Sequence, residues 1–433
     1  MPLMNLRVSR GVSVGFGNSE AARIPTIVFI ETYFSGSSRD AIRAAARLGY
    51  FTVVLTKRGP DAIKGFSEVN RMIHVDSFEF SELNEHIMVL IQQGKEIKTI
   101  VSFIEQYVYL ATLLATAYGI NHLSSEALKK MANKILTREA LANTPYNPYY
   151  AVIYNREQLP DFIENHRDKG ILIVKLPDSH GSRHVILAEN EVQLERIALN
   201  LFSKFPGQTI LVEKFIPGQQ FLVEVLVYEG QVNIVAIIEQ EVTFENRFIV
   251  TGYSLLTKCP ESLYRAIERT VISILNSLGM TMGGCHLELK VLNDDWKLVE
   301  ANPRISGGAM NRMIKLASGV DLAEQTLRVA LGEPPCLEKS SQEFVFTQYL
   351  TVDSSGILEL VTGRNRASRY PGVADVFIKY RRGSLLRPPE SMGQRCGYLM
   401  ATGDTPQQAQ QRAKDAAKEI RFHLKNSQEE GAN

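Results

Sequence analysis

The chain has 433 residues, of which 45% are hydrophobic and 22% charged, and its formal net charge is +1. Such a length exceeds one small core and divides into two or three domains of ordinary soluble composition. The balanced charge argues against nucleic acid or an anionic membrane as partner, no uncharged apolar run reaches membrane-spanning length, and the start lacks a signal-peptide apolar region with a cleavage site.

In chain order, residues 1 to about 23 lack clear periodicity and are expected to be an extension, in part disordered. Gly15-Phe-Gly17 within them is too short for a dinucleotide loop. Ile24–Ile30 reads as a buried strand, followed by a loop from Glu31 to Ser38 and a helix from Arg39 to Leu48. Phe51–Thr56 and Ile97–Phe103 read as further strands, the second leading through Glu105 into a helix that reaches Tyr118. Short apolar strands alternating with helices predict a parallel α/β sheet, and ligands of such sheets sit beyond the carboxyl ends of the strands. The loop at Glu31–Ser38 and Glu105 are therefore expected near a site, although Glu105 equally suits the positive end of a helix dipole.

One helix is expected to carry Ser125, Glu126 and Lys134. It leads into Asn143-Thr-Pro-Tyr-Asn-Pro-Tyr149, a proline-broken linker and candidate boundary. Leu172–Leu176 is a strand with Lys175 near its end, where a lysine is costly to bury unless paired; a nucleotide phosphate is one partner, and snorkelling to solvent is the other reading. The loop from Pro177 to Arg183 offers Ser179, His180, Gly181 and Ser182 with their backbone amides to an anion, but lacks a Walker A pattern. Further strands are expected at Val185–Leu187, Thr209–Ile216 and Phe221–Val227, with a helix at Glu191–Phe205. Glu213-Lys214-Phe215-Ile216 before Pro217-Gly218 forms a hinge that could offer backbone groups and an apolar side chain to a purine. Glu239 to Lys258 reads as an active-site loop in which Glu239, Glu241, Glu245 and Arg247 could meet an amino group and a carboxylate, or simply be solvated. A helix at Leu263–Leu278 follows.

The segment Cys285–Arg304 is the most informative. Two alternating stretches flank Asn293-Asp294-Asp295, which is turn chemistry. A hairpin centred on Asp294 sets Glu288 opposite Glu300 and His286 opposite Asn302, with Leu287, Leu289, Val299 and Ala301 on the other, apolar face. Facing carboxylates are destabilising unless a cation lies between them. A hard divalent ion, Mg2+ above all, resolves the conflict and usually also holds phosphates; an exposed hairpin with scattered charges is the alternative. Arg304 then suits a carboxylate or acyl phosphate, and Ser306-Gly307-Gly308 lets the backbone approach a ligand. After Leu331-Gly-Glu-Pro-Pro335, strands are expected at Phe344–Val352, Gly356–Val361, Val373–Lys379 and Gly397–Thr402. A helix capped at Asp404-Thr405-Pro406 is expected to run to about Leu424. Cys259, Cys285, Cys336 and Cys396 lie far apart without CxxC spacing, which predicts reduced thiols in a cytoplasmic protein and neither a zinc site nor disulfides.

Together Lys134, Val174-Lys175 with its glycine loop, Glu213-Lys-Phe-Ile216 and Glu288…Glu300-Ala-Asn302-Pro-Arg304 resemble the ATP-grasp superfamily of carboxylate–amine ligases, from about Ile24 to the C-terminal helix. Gly356-Ile-Leu, Tyr370-Pro-Gly372 and Thr405 through Ile420 resemble the family's closing module. The resemblance implies an α/β and α+β ATP-grasp fold: residues 1–122 an N-terminal α/β domain, 123–335 the ATP-grasp domain with a lid at about 146–215, and 336–433 a β-rich module. It implies that Lys134 and Lys175 contact ATP phosphates under the 178–183 loop, that Glu213 through Ile216 hold adenine, and that Glu288, Glu300 and Asn302 ligate two Mg2+ ions, with Mn2+ as a substitute. Where the family commonly has a glutamate for the ribose, this chain has Gln220, which keeps a hydrogen bond but loses the charge. Arg304 and Lys175 would be catalytic, with Ser306, Gly307, Gly308, Glu239 and Glu241 towards substrate. The pattern is most similar to the L-amino-acid (dipeptide) ligases, including those of antibiotic pathways of the dapdiamide type. Small-molecule carboxylates and amino acids are the expected partners, and a homodimer the implied assembly. A formate-using purine-pathway transformylase, a biotin-carboxylase-like enzyme and a nucleotide-binding regulatory protein without turnover are the alternatives.

Overall fold

A computed structural model describes residues 23–59, 65–179, 184–244 and 248–425. The expected extension before residue 23, together with His180, Gly181, Ser182, Arg183, Glu245 and Arg247, lies outside the described residues. The first strands and helices are β1 (Ile24–Ile30), α1 (Ser37–Arg47), β2 (Phe51–Thr56), β3 (Arg71–His74), α2 (Phe80–Gln92), β4 (Lys95–Val101) and α3 (Glu105–Ala117). The strands form a parallel sheet in the order β3-β2-β1-β4. Ile27–Ile30 and Val53–Leu55 are buried throughout, the continuous apolar run that a sheet covered on both faces demands. The carboxyl ends of β1 and β4 deliver the 31–36 loop and Glu105 to one edge of this sheet.

The single helix expected through Lys134 is two, α4 (Ser125–Met131) and α5 (Lys134–Ala140). Asn133 interrupts it with extended backbone, and its side-chain oxygen accepts from the amides of Ile135 and Leu136 at 3.0 and 3.1 Å. This N-cap places Lys134 at the first position of α5. Next come β5 (Tyr150–Ile153), α6 (Leu159–Asn165), β6 (Leu172–Lys175), β7 (Ile186–Ala188), α7 (Glu191–Lys204) and β8 (Ile210–Lys214), whose strands make a sheet ordered β5-β8-β6-β7.

The elements that follow are β9 (Gln219–Tyr228), β10 (Gln231–Phe244), β11 (Phe248–Leu255), α8 (Glu261–Leu278), β12 (Gly283–Leu292), β13 (Asp295–Asn302), α9 (Met310–Ser318) and α10 (Leu322–Ala330). The remaining described elements are β14 (Phe344–Leu350), β15 (Gly356–Thr362), α11 (Arg364–Ala367), β16 (Val373–Ile378), β17 (Leu385–Leu386), β18 (Gly397–Gly403), α12 (Pro406–Ala417) and β19 (Arg421–Lys425). An eight-stranded antiparallel sheet, β13-β12-β9-β10-β11-β14-β18-β16, runs through the centre into the C-terminal part. The active-site loop expected at Glu239–Lys258 is instead mostly a hairpin of β10 and β11, paired from Ile238 with Leu255 to Phe244 with Phe248. Its charged residues alternate with covered ones, as one exposed face of an antiparallel strand allows. The closing helix stops at Ala417 rather than near Leu424. The last described residues form β19, paired with β15, because Phe422 and Leu424 recur with a period of two and pack beside Leu358, Ala413 and Ala416. No helix among the described residues is long and apolar enough to cross a membrane.

The β12–β13 hairpin reaches the expected pairing by a different route. Its turn is the two residues Asn293-Asp294, both with positive φ (51° and 61°), so Leu292 faces Asp295 and Leu289 faces Leu298. That register is one residue away from a turn centred on Asp294. A bulge at Val299 restores it, and Glu288 pairs with Glu300 and His286 with Asn302. The expectation that Val299 packs on the apolar face is therefore corrected: fully buried Leu298 fills the core, and Val299 turns towards the cleft.

Gly218, in the turn between β8 and β9, has φ 109°, and an added Cβ would lie 2.2 Å from the carbonyl oxygen of Val291. Gly218→Ala is expected to cost about 2 kcal/mol or more, read as a lower midpoint of urea unfolding with an unchanged slope.

Candidate active site

Two clefts flank the β12–β13 hairpin. The first spans about 840 Å³, counting space open to solvent, and is lined by Lys134, Lys175, Ser179, Glu213 through Ile216, Gln220, Glu288 and Glu300, with Val299 and Met392 among the rest. It gathers sequence-predicted residues from α5, β6, β8, β9, β12 and β13. The second, about 530 Å³, lies at the carboxyl edge of the parallel sheet and is lined by Tyr33, Ser35, Ser37, Ser38, Glu105, Arg304, Gly307 and Gly308, among others. Arg304 Nη2 donates to Glu105 at 3.0 Å. With its amide nitrogen turned towards Glu105, Asn302 donates to both carboxylate oxygens of Glu105, at 3.0 and 3.1 Å. Glu105 thus begins a helix and also grips the end of the hairpin.

Charge organises the first cleft. Lys134 Nζ lies 2.9 Å from Glu300 and donates to the Ser179 carbonyl. Burial pulls the Lys134 ammonium down, but Glu300, with Glu105 and Glu213 behind it, outweighs this and holds its pKa above the ordinary value. Glu288 accepts from Gln220 Nε2 at 3.1 Å. Burial, then the charge of Glu300, pushes the Glu288 carboxyl up to about 7. Burial acts on Glu300 too, but Lys134 overrides it and Glu300 stays below the usual carboxylate range. Among the described residues, no group of three His, Cys, Asp or Glu forms a metal cage. The pair Glu288 and Glu300 nonetheless fits a hard cation: two crowded carboxylates, one driven towards protonation, beside open cleft that phosphate and water oxygens could fill.

Sequence reasoning missed three residues. Arg138, on α5, is almost wholly buried; its Nε donates to Glu213 at 2.7 Å and its Nη2 to the bulged Val299 carbonyl at 2.7 Å. Lys175 reaches the other Glu213 oxygen at 2.7 Å. Burial would raise Glu213, yet the two cations hold it down to about 2, while burial lowers the Lys175 ammonium. The Glu213 carboxylate is therefore committed to this triad. Lys290 donates to the Ile216 carbonyl at 2.9 Å and sits over the Phe215 ring at 5.0 Å, bracing the hinge. Glu224, zero exposed in β9, accepts from the Ser306 amide at 3.1 Å. The signal for Arg138 and Lys290 was only a charged residue on an otherwise apolar helix face or strand.

Three residues expected towards substrate have other partners in the structure. Ser306 is buried beneath its loop and held by Glu224, while Gly307 and Gly308 line the second cleft. Glu239 is bound by Gln219 at 2.6 Å, and Glu241 pairs with Lys414 at 2.9 Å and Gln410 on α12. Neither glutamate lines either cleft, because both lie on strand β10 and face neighbouring strands and helix rather than a loop.

Breaking the triad by Arg138→Met is expected to cost about 3 kcal/mol in unfolding free energy, because it removes one member of a buried charge network. The raised Glu288 carboxyl binds its proton more tightly folded than unfolded. Protein stripped of divalent ions is thus expected to lose stability as pH rises from about 4.5 through about 7. Thermal melts with and without Mg2+ at pH 6 and pH 8 check this: the Mg2+ increment should be the larger at pH 8.

Comparison with known proteins bears on the fold and the domains. Residues 172–312 match the ATP-grasp domain and residues 348–425 match the L-amino acid ligase C-terminal domain 2. The solved structure of L-amino acid ligase from Bacillus licheniformis superposes with a TM-score of 0.80 at 19% identity, over 93% of this chain and 100% of that one. Dapdiamide A synthase of Enterobacter agglomerans is 20% identical over 88% of this chain and 92% of its own length. Uncharacterized protein y4rH of Sinorhizobium fredii is 27% identical over 44% of this chain, and the match spans only 39% of that relative. The chain thus has the ATP-grasp fold and carries an ATP-grasp domain joined to an L-amino acid ligase C-terminal domain.

Proposed function

We propose that this chain, which joins an ATP-grasp domain to the C-terminal domain of L-amino acid ligases, is an ADP-forming carboxylate–amine ligase that makes a dipeptide, with peptide antibiotic biosynthesis as its setting. The observation that carries the reading is the continuity of the two clefts through one hairpin. Glu288 and Glu300 face the lysine-lined cleft, and four residues after Glu300 the same chain presents Arg304 to the second. The limits 1–122, 123–335 and 336–433 are part of this reading.

ATP fits the first cleft. Lys134 and Lys175 would meet its phosphates, and Phe215, Ile216 and neighbouring Val242, Phe248 and Val250 would pack against the base. Gln220 lines the same cleft and would reach the ribose. Glu288 and Glu300, with Asn302 at the hairpin end, would hold Mg2+, which supplies charge neutralisation at the phosphates. A substrate carboxylate oxygen attacks the γ-phosphorus, and the bond to the β–γ bridging oxygen breaks to release ADP. The amine nitrogen of an amino acid then attacks the acyl carbon; inorganic phosphate leaves and the nitrogen loses its proton. Lys175 and Arg304 oppose the negative charge that develops in these steps, so the chain's contribution is positional and electrostatic. Glu105, bonded to Arg304 and Asn302, is placed to meet the ammonium group of the amino acid that is activated. The match of residues 348–425 favours this reading over the transformylase and carboxylase alternatives.

Phosphate release from ATP and Mg2+ is expected to need two amino acids, and mass spectrometry of the products should show their dipeptide; release that needs formate and a ribonucleotide instead would replace the reading. Glu300→Gln should lower turnover by about 10³-fold or more with an unchanged circular dichroism spectrum, since it removes charge where the phosphates develop it. Activity close to that of the unaltered protein would sink the assignment of Glu300.

A further inference from the structure

Glu224 lies in the middle of β9, between β12 and β10 in the eight-stranded sheet, and is completely buried. Among the described residues, no lysine or arginine nitrogen forms an ion pair with it. Its two oxygens lie 3.1 and 3.3 Å from the backbone amide nitrogen of Ser306. Burial drives its carboxyl up to about 7, against the weaker pull of Ser306 and of the nearby Arg304 guanidinium. An apolar residue would be cheaper to bury at this position, so the fold of the sheet does not account for the glutamate.

The donor's position suggests what the glutamate does. Ser306 is two residues beyond Arg304 and directly precedes Gly307-Gly308, which line the second cleft. The same segment is held from the other side, where His286 Nδ1 lies 2.8 Å from the Arg304 carbonyl. A carbonyl oxygen can only accept, so Nδ1 is the donor in this contact. His286 and Glu224 are themselves paired across β12 and β9. Two neighbouring buried side chains on adjacent strands thus pin consecutive points of a loop rich in glycine, one at a carbonyl and one at an amide. A glycine-containing loop left without such anchors would sample many conformations.

We propose that Glu224 is a positioning residue that anchors the Arg304–Gly308 loop and so fixes the guanidinium and the glycine backbone at the second cleft. It acts through Ser306 and touches no substrate. Its effect on turnover rests on the ligase reading; its anchoring of the loop does not.

The test compares the unaltered protein with Glu224→Leu and Glu224→Gln by hydrogen–deuterium exchange of peptides spanning 303–309, thermal melting, and steady-state kinetics with MgATP and the amino-acid pair found active. The leucine variant should exchange the Ser306 amide at least tenfold faster with a melting temperature no lower. Glutamine, which still offers a carbonyl oxygen to the amide, should restore protection to within about threefold. In turnover, the leucine variant should lose tenfold or more in kcat/KM for the activated amino acid, with KM for MgATP changed less than twofold, and glutamine should recover most of it. Unchanged exchange in the leucine variant overturns the anchor. Faster exchange with unaltered kinetics, or equal losses for both substrates, overturns the positioning role. If the unaltered protein joins no amino-acid pair, the ligase reading fails by itself, and the exchange comparison alone then decides for or against the anchor.

Discussion

Everything around the clefts follows from one constraint: Glu288 and Glu300 are set directly opposite each other and only partly exposed. Two like charges on a ladder in a poorly solvated place raise each other's energy, and the protein divides the burden unequally. Lys134 reaches from α5 to Glu300 and holds it below the usual carboxylate range, whereas Glu288 has no ion pair of its own among the described residues, accepts from the amide of Gln220 and is pushed up to about 7. Lys134 is in position because Asn133 caps α5, so a break between two short helices is part of the electrostatics of the hairpin.

The second organising feature is the triad Arg138–Glu213–Lys175. It joins α5, β8 and β6, and through the Val299 carbonyl it reaches the bulge that sets the hairpin register. A bulge leaves a carbonyl without its ladder partner, and Arg138 supplies one. The same guanidinium therefore stabilises the irregularity that brings Glu288 opposite Glu300. With its carboxylate committed, Glu213 leaves recognition at the hinge to backbone groups and to the apolar surfaces of Phe215 and Ile216, with Lys290 bracing the Ile216 carbonyl.

Much of this was legible in the chain. The parallel N-terminal sheet was readable from its apolar runs, and the opposed glutamates from alternation about Asn293-Asp294. Their pairing was inferred correctly although two local features, a two-residue turn and a bulge, were invisible and cancelled each other. What could not be read depends on contacts between distant segments. Arg138 and Glu213 are far apart in the chain, as are Glu224 and Ser306, and a single charged residue in an apolar stretch does not name its partner. The β10–β11 hairpin was mistaken for a loop because Glu239 and Glu241 put charge into a stretch whose strand partners lie elsewhere in the chain. Helix α12 was extended too far because Phe422 and Leu424 suit a helix and a strand equally until β15 provides an edge.

The pairing of charges also constrains how an anion can enter the first cleft. Lys134 is bound to Glu300, Lys175 to Glu213, and Lys290 to a carbonyl, so none of the three stands ready as an isolated cation. Lys134 can turn towards a phosphate only if Glu300 gains another positive neighbour, since leaving that carboxylate buried and uncompensated would cost several kcal/mol. Lys175 is freer to do so, because Arg138 remains on Glu213 when the lysine leaves. A phosphate that drew Lys134 away would therefore have to bring its own cation, and the exchange of partners at Glu300 would couple the two. A cleft wired in this way favours a metal–polyphosphate complex over either component alone. Its selectivity comes from how the acids and bases are already paired rather than from net charge, which the composition of the chain places close to zero.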